Sequence, residues 1–390
     1  SRIDKPMRVP STYDAVVIGA GVFGAWTTLH LAKRKQRVLL VEAHGPAHSR
    51  ASSGGETRII RMSYGSDEIY TRWSQQSLTE WKELFAATGE RLFQQTGVLW
   101  LSSPGDSTFE KSRDTLHHYG VNHETFQHAE LERRYPQFNF EGISLGLLEP
   151  ESGVLLARRA VACAVKSALR QGAHLQIAKI KTPSGSKHLD FVETTDGARI
   201  CAANFVFACG PWLGKVFPEV LGNRIFPTRQ EVFFFGTPPG DVRFAPPAMP
   251  TWLIPSEEAY GMPDIEARGL KLACDQHGGR VDPDTQSRLA SPEGVKWACG
   301  FVARRFPALK NAQIVETRVC QYENTSNGDF LIDRHPDFSN VWLVGGGSGH
   351  GFKHGPAFGN YTAALMLGEQ TPEPRLSLSS KSSQQKRSVH

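Results

Sequence analysis

The stretch Asp14-Ala-Val-Val-Ile-Gly-Ala-Gly-Val-Phe-Gly24 decides the fold. Its first five residues read as a short buried strand, and Gly19, Gly21 and Gly24 lead directly into a helical pattern with apolar residues at Phe23, Trp26 and Leu29. In such a unit the first glycine allows a tight turn, the second lets backbone approach a diphosphate, and the third lets helix pack on strand. The N–H groups at the helix start then receive the diphosphate. A second apolar run, Arg37-Val-Leu-Leu-Val41, ends in Glu42. A carboxylate there accepts from ribose hydroxyls and disfavours a 2′-phosphate, so FAD or NAD is expected and NADP is not.

Length and composition agree with an enzyme. A chain of 390 residues is long enough for two domains, or for one Rossmann-type domain with a large insertion. Its charge of +5 is mild and spread out, with no Lys/Arg run interleaved with aromatics, so nucleic acid is not expected as a partner. No stretch approaches a membrane span, and the first residues lack the apolar core of a signal peptide. The six cysteines show no C-x-x-C spacing, which argues against structural zinc and attached haem. No metal site is expected, and a reducing cytoplasm is the simplest setting.

The elements interleave. Residues 65–89 read as a helix with Trp73, Leu78, Trp81 and Phe85 as candidate core, and Gly97-Val-Leu-Trp-Leu101 as a buried strand. Residues 157–171 have helical spacing through Val161, Val165 and Leu169. Asn204-Phe-Val-Phe-Ala-Cys209 reads as a strand broken at Gly210-Pro211, before Trp212; the break suits close approach to a cofactor and a plain turn equally. Residues 229–236 and 269–273 read as strands of an antiparallel sheet, and Val341-Trp-Leu-Val344 as a last parallel strand. The expected fold is α/β: a discontinuous Rossmann-like FAD-binding domain (1–90, 150–225 and 320–375) interleaved with an α+β substrate domain (91–149 and 226–319) containing a largely antiparallel sheet. Residues 376–390, rich in Ser and Lys, are expected to be a loose tail.

Four motifs in order carry a resemblance: the opening unit, Ser52-Ser-Gly-Gly-Glu-Thr-Arg-Ile-Ile-Arg61, Arg318-Val-Cys-Gln-Tyr-Glu-Asn-Thr-Ser-Asn-Gly-Asp-Phe-Leu-Ile-Asp333, and Gly345-Gly-Gly-Ser-Gly-His-Gly-Phe-Lys353. Together they resemble the monomeric sarcosine oxidase, N-methyltryptophan oxidase and pipecolate oxidase family, over nearly the whole chain except its ends. The resemblance implies a monomeric flavoenzyme that oxidises a secondary amino acid with dioxygen, releasing imine and hydrogen peroxide. It also implies FAD attached through a cysteine to the flavin 8-methyl group, and the matching residue is Cys320.

Further roles follow from the same resemblance. Arg61 and Lys353 would hold the substrate carboxylate, Arg58 would lie beside the isoalloxazine, Lys271 would face flavin N5 and assist oxygen reduction, and Tyr260 and Tyr322 would be active-site tyrosines. Cofactor contacts are expected from Gly19, Gly21, Gly24, Glu42, Ser52, Ser53, Thr57, Arg58, Gly210, Trp212, Cys320, Gly347, Gly349, Gly351 and Lys353. If residues 52–61 are helical or turn-like, Arg58 and Arg61 fall near one face. His350 and His354, beside a glycine turn, are expected to be hydrogen-bonding surface residues. Two positions depart from the family pattern: Gly54, where histidine is common, is expected to open space beside the cofactor. Asp275, where another histidine is common, is expected either to pair with Arg268 or Lys271, or to receive a distal ammonium of the substrate. The alternatives are a cyclic imino acid, an opine-like or a glycated amino acid as substrate, or an FAD-binding protein without turnover. A pyridine-nucleotide dehydrogenase is disfavoured because one fingerprint is present and no second nucleotide domain is visible.

Overall fold

The computed structural model describes residues 13–389; positions 1–12 of the expected first segment, and His390, lie outside the described residues. The strand Tyr13–Ile18 lies inside a sheet ordered Leu331–Arg334, Val341–Gly345, Arg199–Phe207, Tyr13–Ile18, Val38–Glu42 and His174–Ile177, with Phe191–Glu193 added alongside Arg199–Phe207. Its central pairings are parallel, and both faces are covered, so its strands read as unbroken apolar runs rather than alternating ones. Helix Val22–Lys33 follows the glycine turn and buries almost every residue, because Gly355–Met366 and Ala157–Arg170 pack on either side. Trp26 meets Trp81 edge to face at 5.0 Å, and both are at most 1% exposed. Burial of a side chain of this size contributes about 3 kcal/mol.

A second sheet runs Ile314–Asn324, Phe226–Phe235, Leu270–Cys274, Ala259–Met262, Thr251–Ile254, Val98–Ser102, Leu145–Glu149 and Glu124–Gln127. It is antiparallel except where Thr251–Ile254 runs parallel to Val98–Ser102. Strand Ile314–Asn324 pairs with Phe226–Phe235 through Asn324, so the expected boundary at residue 320 falls inside a strand. That strand holds Cys320 within the second sheet, opposite Gln230, and its end meets the glycine turns of the first through Glu323.

Some local readings change. The helix expected over 65–89 spans Glu68–Thr88 and stops at Gly89 in the left-handed conformation (φ 72°). Leu169, assigned to the apolar face of helix Ala157–Arg170, is 37% exposed, whereas Val161 and Val165 are buried. The largest correction concerns the C-terminal tail, which is docked rather than loose: Leu376, Lys381 and Val389 are 0%, 4% and 3% exposed. Asp329 is itself buried and accepts from Tyr70 (2.6 Å) and from Arg375 (2.8 Å), which also reaches Asp67 (2.9 Å). Lys381 Nζ donates to Asn327 Oδ1 (3.0 Å) and the Arg375 carbonyl (2.8 Å). A buried carboxylate requires a compensating cation, and the tail supplies it.

Candidate active site

The cradle is built where the strands of the first sheet end. Gly19 has φ +107°, and a Cβ there would stand 2.2 Å from the Ala208 carbonyl oxygen; one on Gly24 would stand 1.7 Å from the Gly19 carbonyl oxygen. Neither position accepts a side chain. The helix start at Gly21 has no side-chain cap and no acid in its first turn, which leaves its positive end for an anion. Glu42 accepts from Ala20 N (2.8 Å) and His44 N (3.1 Å), and Ser53 Oγ accepts from Val22 N (3.1 Å), so the acid and the serine also brace the turn.

A cavity of about 570 Å³ runs from this turn past Ser52, Ser53, Gly210 and Trp212 to Arg58, Cys320, Tyr260 and Tyr322, with Gly347, Gly349 and Gly351 along another wall. An elongated nucleotide fits this lining: glycines at the phosphate end, a carboxylate at the second strand, and a thiol and tyrosines at the far end. Gly24 and Thr57 are not part of the wall; Gly24 supports Gly19, and Thr57 holds Lys271.

At the far end, Arg58 Nη2 donates to the Ser52 carbonyl (2.6 Å) and to Cys320 Sγ (3.6 Å). Ser52 Oγ donates to the Gln321 carbonyl (2.9 Å), tying the loop to the cysteine strand. Lys271 is 3% exposed and donates to the Thr57 carbonyl (2.9 Å) and Thr57 Oγ1 (3.0 Å). Its neighbours Leu270 and Leu272 point into the opposite core, as strand alternation requires. Burial, reinforced by the charge of Arg58, drives the Lys271 ammonium well below its ordinary pKa. Lys271 borders a small hollow shared with Gly54, Gly55, Arg58 and Cys320.

Arg58 and Arg61 do not share a face. The β-branched pair Ile59-Ile60 helps make Arg58–Ile60 a strand, and in extended backbone a spacing of three sends side chains to opposite sides. Arg61 instead lies over the rings of Tyr64 (4.1 Å) and Trp100 (4.9 Å) and donates to the Ser63 carbonyl. Lys353 Nζ stands 5.2 Å from the same Tyr64 ring and donates to the His350 carbonyl (2.7 Å). Burial, followed by the charge of Arg61, holds Lys353 well below the usual lysine range. Neither Arg61 nor Lys353 lines the large cavity. Glu149, fully buried, accepts from Met62 N (2.6 Å), Ser63 N (3.3 Å) and Trp100 Nε1 (2.7 Å), and so sets the path of the chain past Arg61.

Tyr322 donates to Asp275 Oδ1 (3.1 Å) and is hydrogen-bonded to Tyr260, whose hydroxyl burial pushes up to about 12. The two cations expected near Asp275 have partners of their own: Arg268 reaches Glu56 (3.3 Å) and Glu316 (3.5 Å), and Lys271 is held by Thr57. Gly54 does not open space. A Cβ there would meet the His48 carbonyl oxygen at 2.2 Å, so glycine serves close chain packing. His350 and His354 are not surface residues; they are 3% and 0% exposed and share the Tyr64 hydroxyl at 3.1 and 2.8 Å.

Tyr64, Glu149 and Glu323 escape a reading of the sequence. For Tyr64 and Glu149 no local signal exists, since their importance comes from partners far along the chain. Glu323 had one: in a strand containing Cys320 and Tyr322, alternation puts Gln321 and Glu323 on the other face, and both are buried.

Comparison with known proteins agrees with this geometry. The model of the FAD dependent oxidoreductase family (DAO) matches residues 14–365, and the chain belongs to that family. It is 31% identical over 374 residues to the peroxisomal sarcosine oxidase of Mus musculus, covering 91% of this chain and 92% of that protein. It is 30% identical over 375 residues to the monomeric sarcosine oxidase of Bacillus sp. (strain B-0618), covering 92% and 93%. Among solved structures, the L-proline dehydrogenase from P. horikoshii superposes with a TM-score of 0.82 at 22% identity, covering 95% of this chain and 98% of that one, which establishes a shared fold. The protein is an FAD-dependent oxidoreductase with the mixed α/β architecture of that family. Among the described residues no helix is long and apolar enough to cross a membrane.

Proposed function

We propose that the chain is an oxidase of a secondary amino acid, N-alkyl or cyclic, that yields an imine and hydrogen peroxide. The observation that carries this reading is the pair of buried cations around Tyr64. Arg61 and Lys353 donate to backbone carbonyls and stand against aromatic rings, and among the described residues neither forms a direct ion pair with a carboxylate, although the charges of Asp275 and Glu149 reach Lys353. Buried cations that lack a direct ion pair are costly, and a substrate carboxylate supplies one. Each charge-assisted hydrogen bond to it contributes about 1.5–3 kcal/mol.

FAD, when bound, accepts two electrons from the amine's C–H bond and passes them to dioxygen. The chain's own part is to position and to set charge. Arg61 and Lys353 anchor the acid, so that the amine is presented toward Tyr260 and Tyr322, and orientation contributes more here than acid–base chemistry. Lys271, separated from that cluster, provides positive charge where reduced oxygen develops negative charge. Cys320 is read as the point of thioether attachment to the flavin 8-methyl carbon, supported by its place in the cavity wall beside Arg58. Asp275, on the Tyr322 hydroxyl, makes this end more acidic and favours a substrate bulkier or more polar than sarcosine. The cysteines, all unpaired among the described residues, suit a reducing compartment, and we place a monomeric enzyme in the cytoplasm.

The deciding experiment is anaerobic bleaching of the yellow protein by a panel of N-alkyl, cyclic and basic amino acids, followed by peroxide measurement on admitting air. Bleaching by a subset of secondary amino acids with peroxide release is the expected result. Reduction without peroxide would make it a dehydrogenase, and equal turnover of sarcosine and every larger analogue would remove the specificity assigned to Asp275.

A further inference from the structure

Besides Glu42 and Asp284, the cavity wall contains a third carboxyl group, which the reading above does not use. Glu323 follows Cys320 by three positions on the strand Ile314–Asn324, is 6% exposed and lines the cavity wall. Its Oε1 accepts from Gly347 N at 3.4 Å, its own carbonyl accepts from Ser348 N at 3.0 Å, and Oε2 has no hydrogen-bond partner. Glycines stand around that oxygen: a Cβ on Gly345 would lie 3.2 Å from it and one on Gly210 would lie 3.9 Å away. Among the described residues no Lys, Arg or His forms an ion pair with Glu323, whereas Glu42 in the same cavity is satisfied by two backbone N–H groups.

A buried polar atom without a partner is rare in a native protein and marks a contact made to something else. The cofactor of this family is a dinucleotide whose diphosphate is dianionic and whose sugar and ribityl arm are rich in acceptor oxygens. An ionised carboxylate in that enclosed space would repel the diphosphate and could offer no proton. A neutral carboxylic acid satisfies both demands, with Oε1 accepting from the glycine backbone and Oε2 carrying the hydrogen. We propose that Glu323 grips the flavin nucleotide as a neutral acid, donating the Oε2 hydrogen to an acceptor oxygen of the cofactor. This rests on FAD occupying the cavity and extends it to a residue that the family motifs leave unassigned. Burial already lifts this carboxyl to about 7, opposed only by the Gly347 and Gly346 N–H groups, and a nearby anion raises it further.

The test is FAD titration into apoprotein prepared under riboflavin depletion, followed by quenching of flavin fluorescence, in a Cys320→Ser background where no thioether traps the flavin, for wild type at position 323, Glu323→Gln and Glu323→Leu, with circular dichroism to check folding. Glutamine keeps a neutral donor and is expected to bind FAD within about threefold of wild type; leucine is expected to weaken binding roughly tenfold or more. The infrared difference spectrum of holoprotein minus apoprotein is expected to show a carboxylic acid C=O band that is absent in Glu323→Gln, and this measurement stands even where the leucine variant fails to fold. Leucine binding as tightly as wild type, glutamine binding as weakly as leucine, or a wild-type spectrum without the acid band would each overturn the proposal. Wild-type apoprotein that takes up no FAD would instead remove the cofactor assignment on which it rests.

Discussion

Arg58 Nη2 lies 3.6 Å from Cys320 Sγ, joining side chains 262 positions apart at the mouth between the two sheets. A guanidinium donating to the sulfur fixes its position in the cavity wall and favours negative charge that develops on it as a bond to carbon forms. Cys320→Ser is therefore expected to leave all flavin in the supernatant after acid precipitation, whereas wild type keeps the colour in the pellet. Arg58→Ala is expected to slow attachment several-fold, read as acid-stable colour against time after FAD is added to apoprotein, because the sulfur loses its hydrogen-bond donor. Colour retained in the pellet of Cys320→Ser would end the assignment.

Lys271 is buried on Thr57 and held well below its ordinary pKa, so a developing anion beside it strengthens its hold on a proton. Lys271→Met is expected to slow reoxidation of the reduced protein by dioxygen by roughly 10²–10³-fold while changing anaerobic reduction only a few-fold. Stopped-flow mixing with oxygenated buffer separates the two half-reactions, and equal slowing of both would assign Lys271 a structural role.

Arg61→Ala removes one of the two cations around Tyr64 and is expected to raise KM by roughly 10–100-fold, with a smaller loss in kcat. The partner adds a pH signature. Because Lys353 is depressed in the free enzyme and a bound carboxylate restores its charge, ligand binding takes up a proton. Affinity for a carboxylate inhibitor then falls as pH rises above the free-enzyme pKa of Lys353, by up to about tenfold per pH unit. Titration calorimetry in buffers of different ionisation enthalpy checks this, and binding with no proton uptake in wild type would contradict it.

Glu323 predicts the stability of the apoprotein. Its folded-state value of about 7 lies above the ordinary 4.5, so the folded chain holds more protons than the unfolded chain between these limits. Stability contributed at this site is fully present below the lower limit and is lost as pH rises toward the upper one, by about 3 kcal/mol at most. The difference in Tm between wild type and Glu323→Gln is expected to widen over that interval, with the variant favoured at the alkaline end.

Arg375 and Asp329 offer a test of the docked tail. Arg375→Ala leaves the buried Asp329 with Arg387 at 3.6 Å as its remaining ion pair and is expected to cost about 2–3 kcal/mol in chemical denaturation. A cost below about 0.5 kcal/mol, the usual effect of a surface change, would mean that the tail adds little to the fold.

The nucleotide half was legible because its determinants are local. Asp14 to Gly24 and Arg37 to Glu42 encode strand, turn and acid within thirty residues, and the geometry at Gly19 and Gly24 leaves no room for another side chain. Apolar runs likewise announced the strands Val98–Ser102 and Val341–Gly345. The site was legible only as a set of residues. Which of them face one another depended on backbone state and on distant partners: Arg58 and Arg61 diverge because the segment is extended, and Asp275 accepts from Tyr322, 47 positions along the chain.

From its sequence alone this protein has a dinucleotide fold, an acid closing its second strand and membership of an FAD-dependent family, since periodicity and glycine spacing act over a few residues. Only the tertiary structure decided that the tail neutralises Asp329, that His350 and His354 lie buried on Tyr64, that Gly54 closes a contact instead of opening one, and that Glu323 turns an unpartnered oxygen into the cavity. Each of these is a matter of charge or steric partnership across long stretches of chain, and such partnerships exist only after the chain has folded.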